Sequence, residues 1–586
     1  MGNNNIMTLT PDMCFAKYFS VFVLALTALC ATCVRAEAVE PAIDQQCQML
    51  IDGSETSPDR VPINAIVHLE QLPERIRIRR IIYSKRDVFD ENNPDEDRYL
   101  YRLANRLHFN TTTEVVRRQL LVEEGDEYSQ RHIDESERLL RANSYFADAR
   151  VIPYQRCGDE IDVLVITRDV WTTYPVIYFS ISGGDNTRGA GFSDGNFLGM
   201  GNRVSIAYKT NNERNSYILG FKDGQIAGSR YDGDFQLTES SDGQSRSASL
   251  ERPFYSLDAQ WANGMTASQD VADDTYYYNG RKVDKFEHHN DTGSAYYGRL
   301  LHRDGNTVRR WLVGVEGDRH RFDPIDYAGG FPDVTPENRE YRYPWIGYQY
   351  EDEHYGEFYN LFLIHRTEDV FLGQRSSIRV GYASKQYNST DSAWMIDLNY
   401  LNTVSQGKHH YFQHAFSING YWLDAQHEFE NLVIDYQVQY THKEAVNLSN
   451  YVSLSFTAGK NLTADRQLSG GGDDNLRGYP GNIQTGDRRF LMTAERRYYY
   501  DWHVFNLFRF GSAVFFDAGQ VWRESDNSQL RDSRTVLADV GFGLRINSSK
   551  ASSGSVLHID LAFPLTARDH SEVDSMEWRI SGKSSF

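Results

Sequence analysis

Residues 451–459 read YVSLSFTAG, with an apolar side chain at every second position. The same alternation recurs in VIDYQVQYTH at 433–442 and in VLHIDLAF at 556–563. Successive side chains of a β-strand point to opposite faces, so each segment predicts a strand with one apolar and one polar face. The polar faces carry Asp, Gln and His, whereas the apolar faces carry almost no charge.

This alternation extends from about residue 175 to residue 586, with acidic, Gly-rich and Asn-rich stretches between many of the segments. A soluble β-sandwich would also alternate, but it needs a second sheet over each apolar face and rarely reaches this many strands. In a membrane barrel, lipid covers the outer face and closure satisfies the backbone groups. We therefore predict a transmembrane β-barrel of about 16 antiparallel strands over residues 175–586.

The composition agrees with a barrel and excludes other classes. Lys and Arg number 61 against 81 Asp and Glu, so the formal net charge is -20, and 40% of the residues are hydrophobic. A helical membrane protein would need several apolar runs of about 20 residues. A general nucleic-acid binder would carry a net positive charge, since phosphate repels an anion.

The amino-terminal residues 1–36 have the layout of a secretory signal peptide. Lys17 precedes an apolar run from Tyr18 to Leu29, and Ala36 provides a small residue at the expected cleavage position. The alternative is a single membrane anchor, for which the apolar run is short. Export predicts an oxidising compartment for the rest of the chain.

Five cysteines become two after cleavage, Cys47 and Cys157. This pair could form a disulfide in an oxidising compartment, and the alternative is two unpaired thiols.

No His/Cys cluster has the spacing of a zinc site. The adjacent pairs His288-His289 and His409-His410 would point to opposite faces of a strand, so we predict neither a metal nor a cofactor.

Residues 37–74 show little periodicity and are predicted to be a leader or linker. Residues 75–170 then read as strand, helix, helix, strand, strand. The two helical segments are EVVRRQLL at 114–121 and QRHIDESERLLRAN at 130–143. This order predicts a self-sufficient small α+β domain in front of the barrel.

Motifs in the carboxy-terminal third carry a family resemblance. They are LSGGGDDNLRGYPGNIQTGDRRFLMTAERRYYY at 468–500, FGSAVFFDAGQVW at 510–522, and ADVGFGLRI with VLHIDLAFPL further on. The chain resembles the bacterial surface antigen superfamily, which includes the central barrel of the outer-membrane β-barrel assembly machinery. The domain at 75–170 is similar to that family's polypeptide-transport-associated (POTRA) domain. The resemblance implies a sixteen-stranded barrel in a Gram-negative outer membrane, with the POTRA-like domain in the periplasm.

The resemblance also implies a set of lumen residues. Arg477, Gly478 and Tyr479 match the Arg-Gly-Phe tip of a loop that folds into the barrel, with Tyr in place of the commoner Phe. The acids that match its partners on the inner wall are Glu495 and Asp517. Alternation independently places both acids on the polar face, and a desolvated guanidinium needs carboxylate partners. The alternative is that Arg477 is a solvated loop residue.

The chain ends SMEWRISGKSSF, with aromatic and small residues on one face. An aromatic last residue on an alternating strand is typical of outer-membrane barrels. We predict that this terminal strand forms a weak seam with the first strand. Its named residues are Trp578, Ile580, Gly582 and Phe586, and Gly582 would weaken the strand locally.

These features lead to a functional prediction. The leading hypothesis is an outer-membrane barrel that inserts or translocates polypeptides, as an accessory assembly factor or a dedicated secretion port. Its partners would be outer-membrane lipid, an extended client received by strand addition to the POTRA-like sheet, and an accessory periplasmic or inner-membrane protein. The alternatives are a passive channel or surface antigen, and a lipid-handling relative.

An outer-membrane hydrolase is the least favoured alternative. Its candidate nucleophile is Ser193 in GFSDG at 191–195, which matches the pattern of an esterase elbow. That elbow requires a strand before the serine and a helix after it. Here a Gly-rich turn and another alternating segment follow, so we predict no catalytic residue and no enzymatic activity.

Overall fold

In the computed structural model the chain is described at residues 47–51, 57–69, 75–182, 185–325, 334–472, 476–523, 535–551 and 556–583. The predicted signal peptide and Phe586 lie outside these residues. The chain splits into two compact units, and the first unit ends at Cys47. Cys47 is the one residue of that first unit that the structure describes. Among the described residues, none of the helices combines the length and apolar character needed to cross a membrane.

The small domain is a four-stranded sheet with two of its three helices packed on one face. Its strands are β1 (Gln48–Met49), β2 (Arg77–Arg86), β3 (Phe146–Cys157) and β4 (Glu160–Asp169), in the order β1-β3-β4-β2. Its helices are α1 (Tyr99–Leu107), α2 (Thr113–Arg117) and α3 (Gln130–Arg141). Strand β2 runs parallel to β4, whereas β3 runs antiparallel to it. The structure therefore contains one helix, α1, more than the sequence pattern predicts.

Apolar periodicity explains the two predicted helices. Val115, Val116, Ile133 and Leu140 are buried and pack against the sheet in one core cluster. Thr112 caps α2, because its side-chain oxygen accepts a hydrogen bond from the Val115 N–H. Helix α1 carries Leu100, Leu103 and Leu107 at helical spacing, but these side chains are exposed. Its buried Tyr101 packs against Val88 and Phe89 and not in the core cluster of the other two helices.

The predicted leader contributes to the small domain. Strand β1 adds to the edge of β3, and Ile51, Val61 and Val67 pack on the sheet face opposite the helices. This segment covers the sheet as irregular chain with scattered apolar contacts, so it has no period that a sequence pattern could reveal.

The remaining long strands form one antiparallel sheet. Their bounds are β5 (Thr173–Ser182), β6 (Asp185–Asp194), β7 (Asn202–Thr210), β8 (Asn215–Asp223), β9 (Asp232–Ser240), β10 (Gly243–Arg252), β11 (Trp261–Tyr278), β12 (Arg281–Asp304), β13 (Thr307–Pro324), β14 (Arg339–Tyr359), β15 (Thr367–Ala383), β16 (Ala393–Gln406), β17 (His410–Leu423), β18 (Glu428–Ala445) and β19 (Leu448–Lys460). After a small hairpin of β20 (Leu468–Gly470) and β21 (Gln484–Gly486), the sheet continues with β22 (Arg488–Val504), β23 (Phe508–Trp522), β24 (Leu537–Ser548), β25 (Val556–Pro564) and β26 (Glu577–Lys583).

Each strand of this sheet pairs with its neighbours along the chain, and the order returns from β26 to β5. The described sheet therefore has twenty strands, and the prediction of about 16 was too low. Six short strands, β5 to β10, fit between Thr173 and Arg252 because their turns are tight. The wide spacing of strands that are joined by long external loops does not apply in this part of the chain.

The predicted apolar outer face and polar inner face are both observed in the carboxy-terminal strands. Val514 is 66% exposed on the outer face, whereas Asp517 is fully buried on the inner face. The same alternation places Phe542 outward and Asp560 inward. An exposed apolar belt around a polar interior is the pattern that lipid stabilises.

Candidate functional site

The site lies on the inner wall formed by β22 to β26. The chain between β19 and β22 carries the β20–β21 hairpin, and its tip at Arg477 to Tyr479 is buried. Residues 473–475 lie outside the described residues. We call this segment, residues 461–487, the inner loop.

Arg477 is clamped by two carboxylates. Its Nε and Nη2 donate to the two oxygens of Asp517 at 2.7 and 2.9 Å, and its Nη1 donates to Glu495 Oε1 at 2.8 Å. The guanidinium also lies 3.4 Å from the ring centroid of Phe515. Arg477 is 4% exposed, so it is a buried, two-point anchor and not a solvated loop residue.

Acidic and basic side chains are equal in number around this anchor, and the Asp539 carboxylate accepts from a backbone N–H. Each of five neighbouring strands contributes charged side chains to the same inner wall. The acids are Glu495, Asp517, Asp539 and Asp560, and the bases that touch them or the inner loop are Arg477, Arg497, Arg545 and Arg579. Burying charge is favourable only when every charge is paired, so removal of one member leaves its partners uncompensated.

Gly478 allows the loop backbone to approach the wall. Its N–H donates to Asp539 Oδ2 at 3.0 Å. A Cβ at this position would lie 2.7 Å from the Cβ of Asp539 and 3.2 Å from the nitrogen of Pro564. Glycine is therefore required by the close contact between the loop and β24.

Replacing Gly478 by Ala is expected to lower the free energy of unfolding by about 1–3 kcal/mol, because the new methyl group has to displace the wall. The measurement is heat-modifiable migration of the detergent-purified protein. The matched control is Gly582→Ala, since a Cβ there would meet nothing within 4 Å. Equal stability of the two variants would contradict the close-packing argument.

Tyr479 ties the loop to two further segments. Its hydroxyl donates to the carbonyl of Ala538 at 2.7 Å and accepts from the N–H groups of Ala538 at 3.1 Å and Thr566 at 3.3 Å. Tyr479 is fully buried. The hydroxyl therefore adds polar contacts with β24 and the chain after β25 that a Phe could not make.

Arg579 was missed by the sequence analysis. Its Nε donates to the carbonyl of Arg477 at 2.8 Å, and its Nη2 donates to those of Leu476 and Tyr479 at 3.1 Å each. Trp578 beside it is 49% exposed, whereas Arg579 is 6% exposed. Alternation in the last strand would have placed Arg579 inward, so the signal was present in the sequence.

We expect Arg579→Gln to loosen the inner loop. A charged group that bonds to carbonyls contributes about 1.5–3 kcal/mol per bond, and Gln offers fewer donors without charge. The measurement is the rate at which added protease cleaves within residues 461–487, which should rise. Trp578→Phe, an outward change on the same strand, is the control. An unchanged cleavage rate in Arg579→Gln would contradict the role given to its guanidinium.

The seam between the last and first strands is narrow. Strand β26 pairs with β25 from Glu577 to Lys583, but in the described residues it pairs with β5 only at Ile580 and Ile181. Gly582 is exposed with open space around it. Of the four predicted seam residues, the structure places Trp578, Ile580 and Gly582 on this strand.

The small domain contacts strand ends and a connecting segment at one rim of the barrel through basic side chains of α3. Arg141 Nε and Nη2 donate to the two oxygens of Asp369 at 2.7 Å each, and Arg138 Nη2 donates to Glu353 Oε1 at 2.6 Å. His132 Nε2 lies 2.8 Å from Asp258 Oδ2. A single helix therefore binds strands β14 and β15 and the connection between β10 and β11.

Other parts of the domain bind further turns of the same rim. The Lys550 ammonium donates to Glu96 Oε2 at 2.8 Å, and the Asn196 side-chain amide donates to the Thr111 hydroxyl at 2.8 Å. The Tyr101 hydroxyl donates to the carbonyl of Phe505. These contacts lie around the rim, so the domain spans the mouth of the barrel.

Burial shifts the pKa values of titratable side chains at this interface. Burial, followed by the charge of Arg131, holds the pKa of His132 below its usual value. Burial raises the pKa of Glu137, although Arg141 opposes this shift. The Glu137 carboxylate accepts from Arg141, Arg150 and the Val151 N–H, so it holds α3 against β3.

Cys47 and Cys157 are both disulfide-bonded in the structure. The residues beside them, Gln48 and Arg156, are register partners in β1 and β3. That the two cysteines bond to each other stays a prediction.

Ser193 does not occupy an esterase elbow. It lies inside β6, where it pairs with Tyr174 and Ser205. The next long element is strand β7 and not a helix, so the structure lacks the turn that would expose a nucleophile.

A barrel with an arginine-clamped inner loop and a small α+β domain at its mouth defines a class of outer-membrane proteins. Residues 196–583 match the Omp85 superfamily domain. The chain therefore belongs to the Omp85 superfamily, which confirms the resemblance inferred from the sequence motifs. This membership supports a location in a Gram-negative outer membrane and a role in polypeptide insertion or transport.

Two solved structures illustrate the similarity. BamA from Haemophilus ducreyi lacking POTRA domains 1–3 is 15% identical, with 88% of this chain and 85% of that chain covered and a TM-score of 0.38. CdiB from Acinetobacter baumannii is 12% identical, with 87% and 73% covered and a TM-score of 0.39. No curated protein matches the chain in sequence.

Proposed function

We propose that this protein inserts or translocates polypeptides at the outer membrane, and that the small domain receives the extended client. The observation that carries the proposal is the anchoring of the inner loop both to the barrel wall and to the seam strand β26. Arg477 binds β22 and β23, and Arg579 of β26 binds the loop backbone. Movement of the seam strand is thus coupled to the loop inside the barrel.

The interior offers room for a polar chain. A cavity of about 780 Å³ lies on the inner wall of the central strands. Its lining includes Arg310, Glu351, Arg375, Asp435 and Arg489. Charged walls of both signs suit a hydrated backbone and disfavour burial of an apolar ligand.

A client strand has a limited edge available on the small domain. The outer edge of β2 is already occupied near its start, where the Gly125 N–H donates to the Ile78 carbonyl at 2.8 Å and the Ile81 N–H donates to Glu124 at 3.0 Å. Alternation from Ile81 directs the N–H groups of Tyr83 and Lys85 to the same outer edge. In the described chain no strand pairs with β2 there, so we propose this segment as the client edge.

The other edge is less suitable. Strand β1 covers β3 at Gln155 and Arg156, and the Val151 N–H donates to Glu137 at 2.9 Å. A client there would first have to displace these groups. Strand addition relies on main-chain hydrogen bonds, which favours the end of β2.

Lys85→Pro tests the client edge, because proline removes the outward N–H and is tolerated on an edge strand. A photo-crosslinker at Tyr83 should capture a periplasmic polypeptide in the parent, and at least several-fold less in the proline variant. Lys85→Ala keeps the N–H and serves as the control. Equal capture by the Pro and Ala variants would remove strand addition from the proposal.

The passive-channel alternative predicts steady conductance of the purified protein and no captured polypeptide. The domain that spans the barrel mouth argues against an open pore. Conductance in planar bilayers together with the crosslinking result separates the two functions.

A further inference from the structure

Three side chains from separate segments meet on the inner wall, away from the Arg477 anchor. His288 belongs to β12, His320 belongs to β13, and Asp465 belongs to the inner loop. A nitrogen of each histidine and a carboxylate oxygen of Asp465 all lie within 4.8 Å of one another. His320 is 5% exposed, and the Asp465 side chain is 4% exposed.

The outer nitrogens of both histidines face carboxylates. His288 Nδ1 lies 2.7 Å from Asp274 Oδ2, and His320 Nε2 lies 3.0 Å from Asp318 Oδ1. The hydrogen bond to Asp274 keeps the proton of His288 on Nδ1 and leaves its Nε2 as the acceptor. The Asp318 contact lacks hydrogen-bond geometry and does not fix the tautomer of His320. The two remaining nitrogens, His288 Nε2 and His320 Nδ1, are only 2.9 Å apart.

His288 therefore directs a lone pair at His320 Nδ1. Either a proton on His320 Nδ1 or a metal ion between the two nitrogens would satisfy this lone pair. Asp465 adds a third ligand of the type that accepts a metal.

We propose that His288, His320 and Asp465 form a binding site for a divalent transition-metal ion of the zinc class. Imidazole nitrogens and a carboxylate oxygen are common zinc ligands, and a water would complete a tetrahedral set. Ligand atoms of a tetrahedral zinc site are ~3.3 Å apart, which small rotations of these side chains would produce. Asp274 and Asp318 would orient the histidines, as carboxylates do around metal-bound imidazoles.

Arg339 also binds Asp465, with its Nη2 2.6 Å from Oδ2 and its Nη1 3.2 Å from Oδ1. Each carboxylate oxygen has two lone pairs, so one can accept from Arg339 while another faces the metal. Arg466 provides a further positive charge near Asp318. Three carboxylates against two guanidiniums leave a negative site, which favours a cation.

A bound metal would give the inner loop a second anchor. Asp465 lies near the start of the loop against β12 and β13, whereas Arg477 binds its tip to β22 and β23. The metal would thus hold the loop at both ends without using the residues of the proposed seam.

The experiment is a titration of the full-length, detergent-purified protein with Co²⁺, followed by displacement with Zn²⁺. The expected result is visible absorption of tetrahedral cobalt that saturates at one ion per chain. His288→Ala and His320→Ala should each abolish this absorption, and Asp465→Asn should weaken Co²⁺ binding at least tenfold.

His302→Ala is the matched control, since His302 lies on the same strand β12 and is exposed. The variant should retain the cobalt absorption. His289 does not serve as a control, because its ring nitrogen lies near carboxylates of Glu287 and Asp323 that could hold a second ion. His288→Gln and His320→Gln replace the alanine variants if those fail to show heat-modifiable migration. Absence of saturable absorption in the parent, or loss of it in His302→Ala, would overturn the site and leave a hydrogen bond between the two histidines.

Discussion

Arg477→Ala is expected to produce the largest loss of function in this protein. The change leaves Glu495 and Asp517 buried without their main partner, which costs about 3–5 kcal/mol for a buried ion pair. The inner loop should detach from the wall, and transport or insertion should fall to near background. The measurement is a complementation assay together with the amount of protein in the outer membrane.

The control separates the anchor from a general charge effect. Arg496 lies beside Glu495 on the same strand, points outward and pairs with Glu444 at 2.9 Å. An exposed pair of this kind is worth about 0–1 kcal/mol, so Arg496→Ala should retain activity. Full activity of Arg477→Ala would show that the loop anchor is dispensable. Asp517→Asn combined with Arg477→Ala should cost less than the sum of the two single changes.

The second large effect is expected from Arg141→Glu. The new carboxylate would face Asp369 and Glu137, where the guanidinium now binds both. Two like charges at 4 Å repel by roughly 4 kcal/mol at an effective dielectric of 20. We expect the small domain to leave this part of the rim and conductance through the barrel to rise.

Planar-bilayer recordings measure this conductance. Asp369→Arg added to Arg141→Glu restores opposite charges, and the double variant should return to the low conductance of the parent. Arg117→Glu provides a surface control, since Arg117 pairs with Glu114 inside the small domain. A conductance that stays low in Arg141→Glu would show that the ion pairs of α3 are not needed to keep the barrel opening closed.

Much of the wall of the site was predictable from two-residue alternation. The spacing of Glu495 and Asp517 from their apolar neighbours placed both acids inside, and the structure shows both bound to Arg477. The same rule applied to the last strand would have identified Arg579. Alternation alone does not show that an inward arginine binds the backbone of a loop 100 residues away, as Arg579 does at Tyr479.

The number of strands was less predictable. Short strands with tight turns between Thr173 and Arg252 give weak alternation in any one segment, and the spacing of long-looped strands does not carry over to them. The structured part of residues 37–74 was also missed, because irregular chain covers a sheet without a repeating pattern.

The sequence by itself determined the strand faces, the small α+β domain and the charged residues that had to point inward, because each depends on local periodicity. The tertiary structure decided which of these residues meet. His288 and His320 are 32 residues apart on paired strands. Asp465 reaches them from the inner loop, which begins after the distant strand β19. Contacts of this kind depend on strand order and register, which a pattern of period two does not encode.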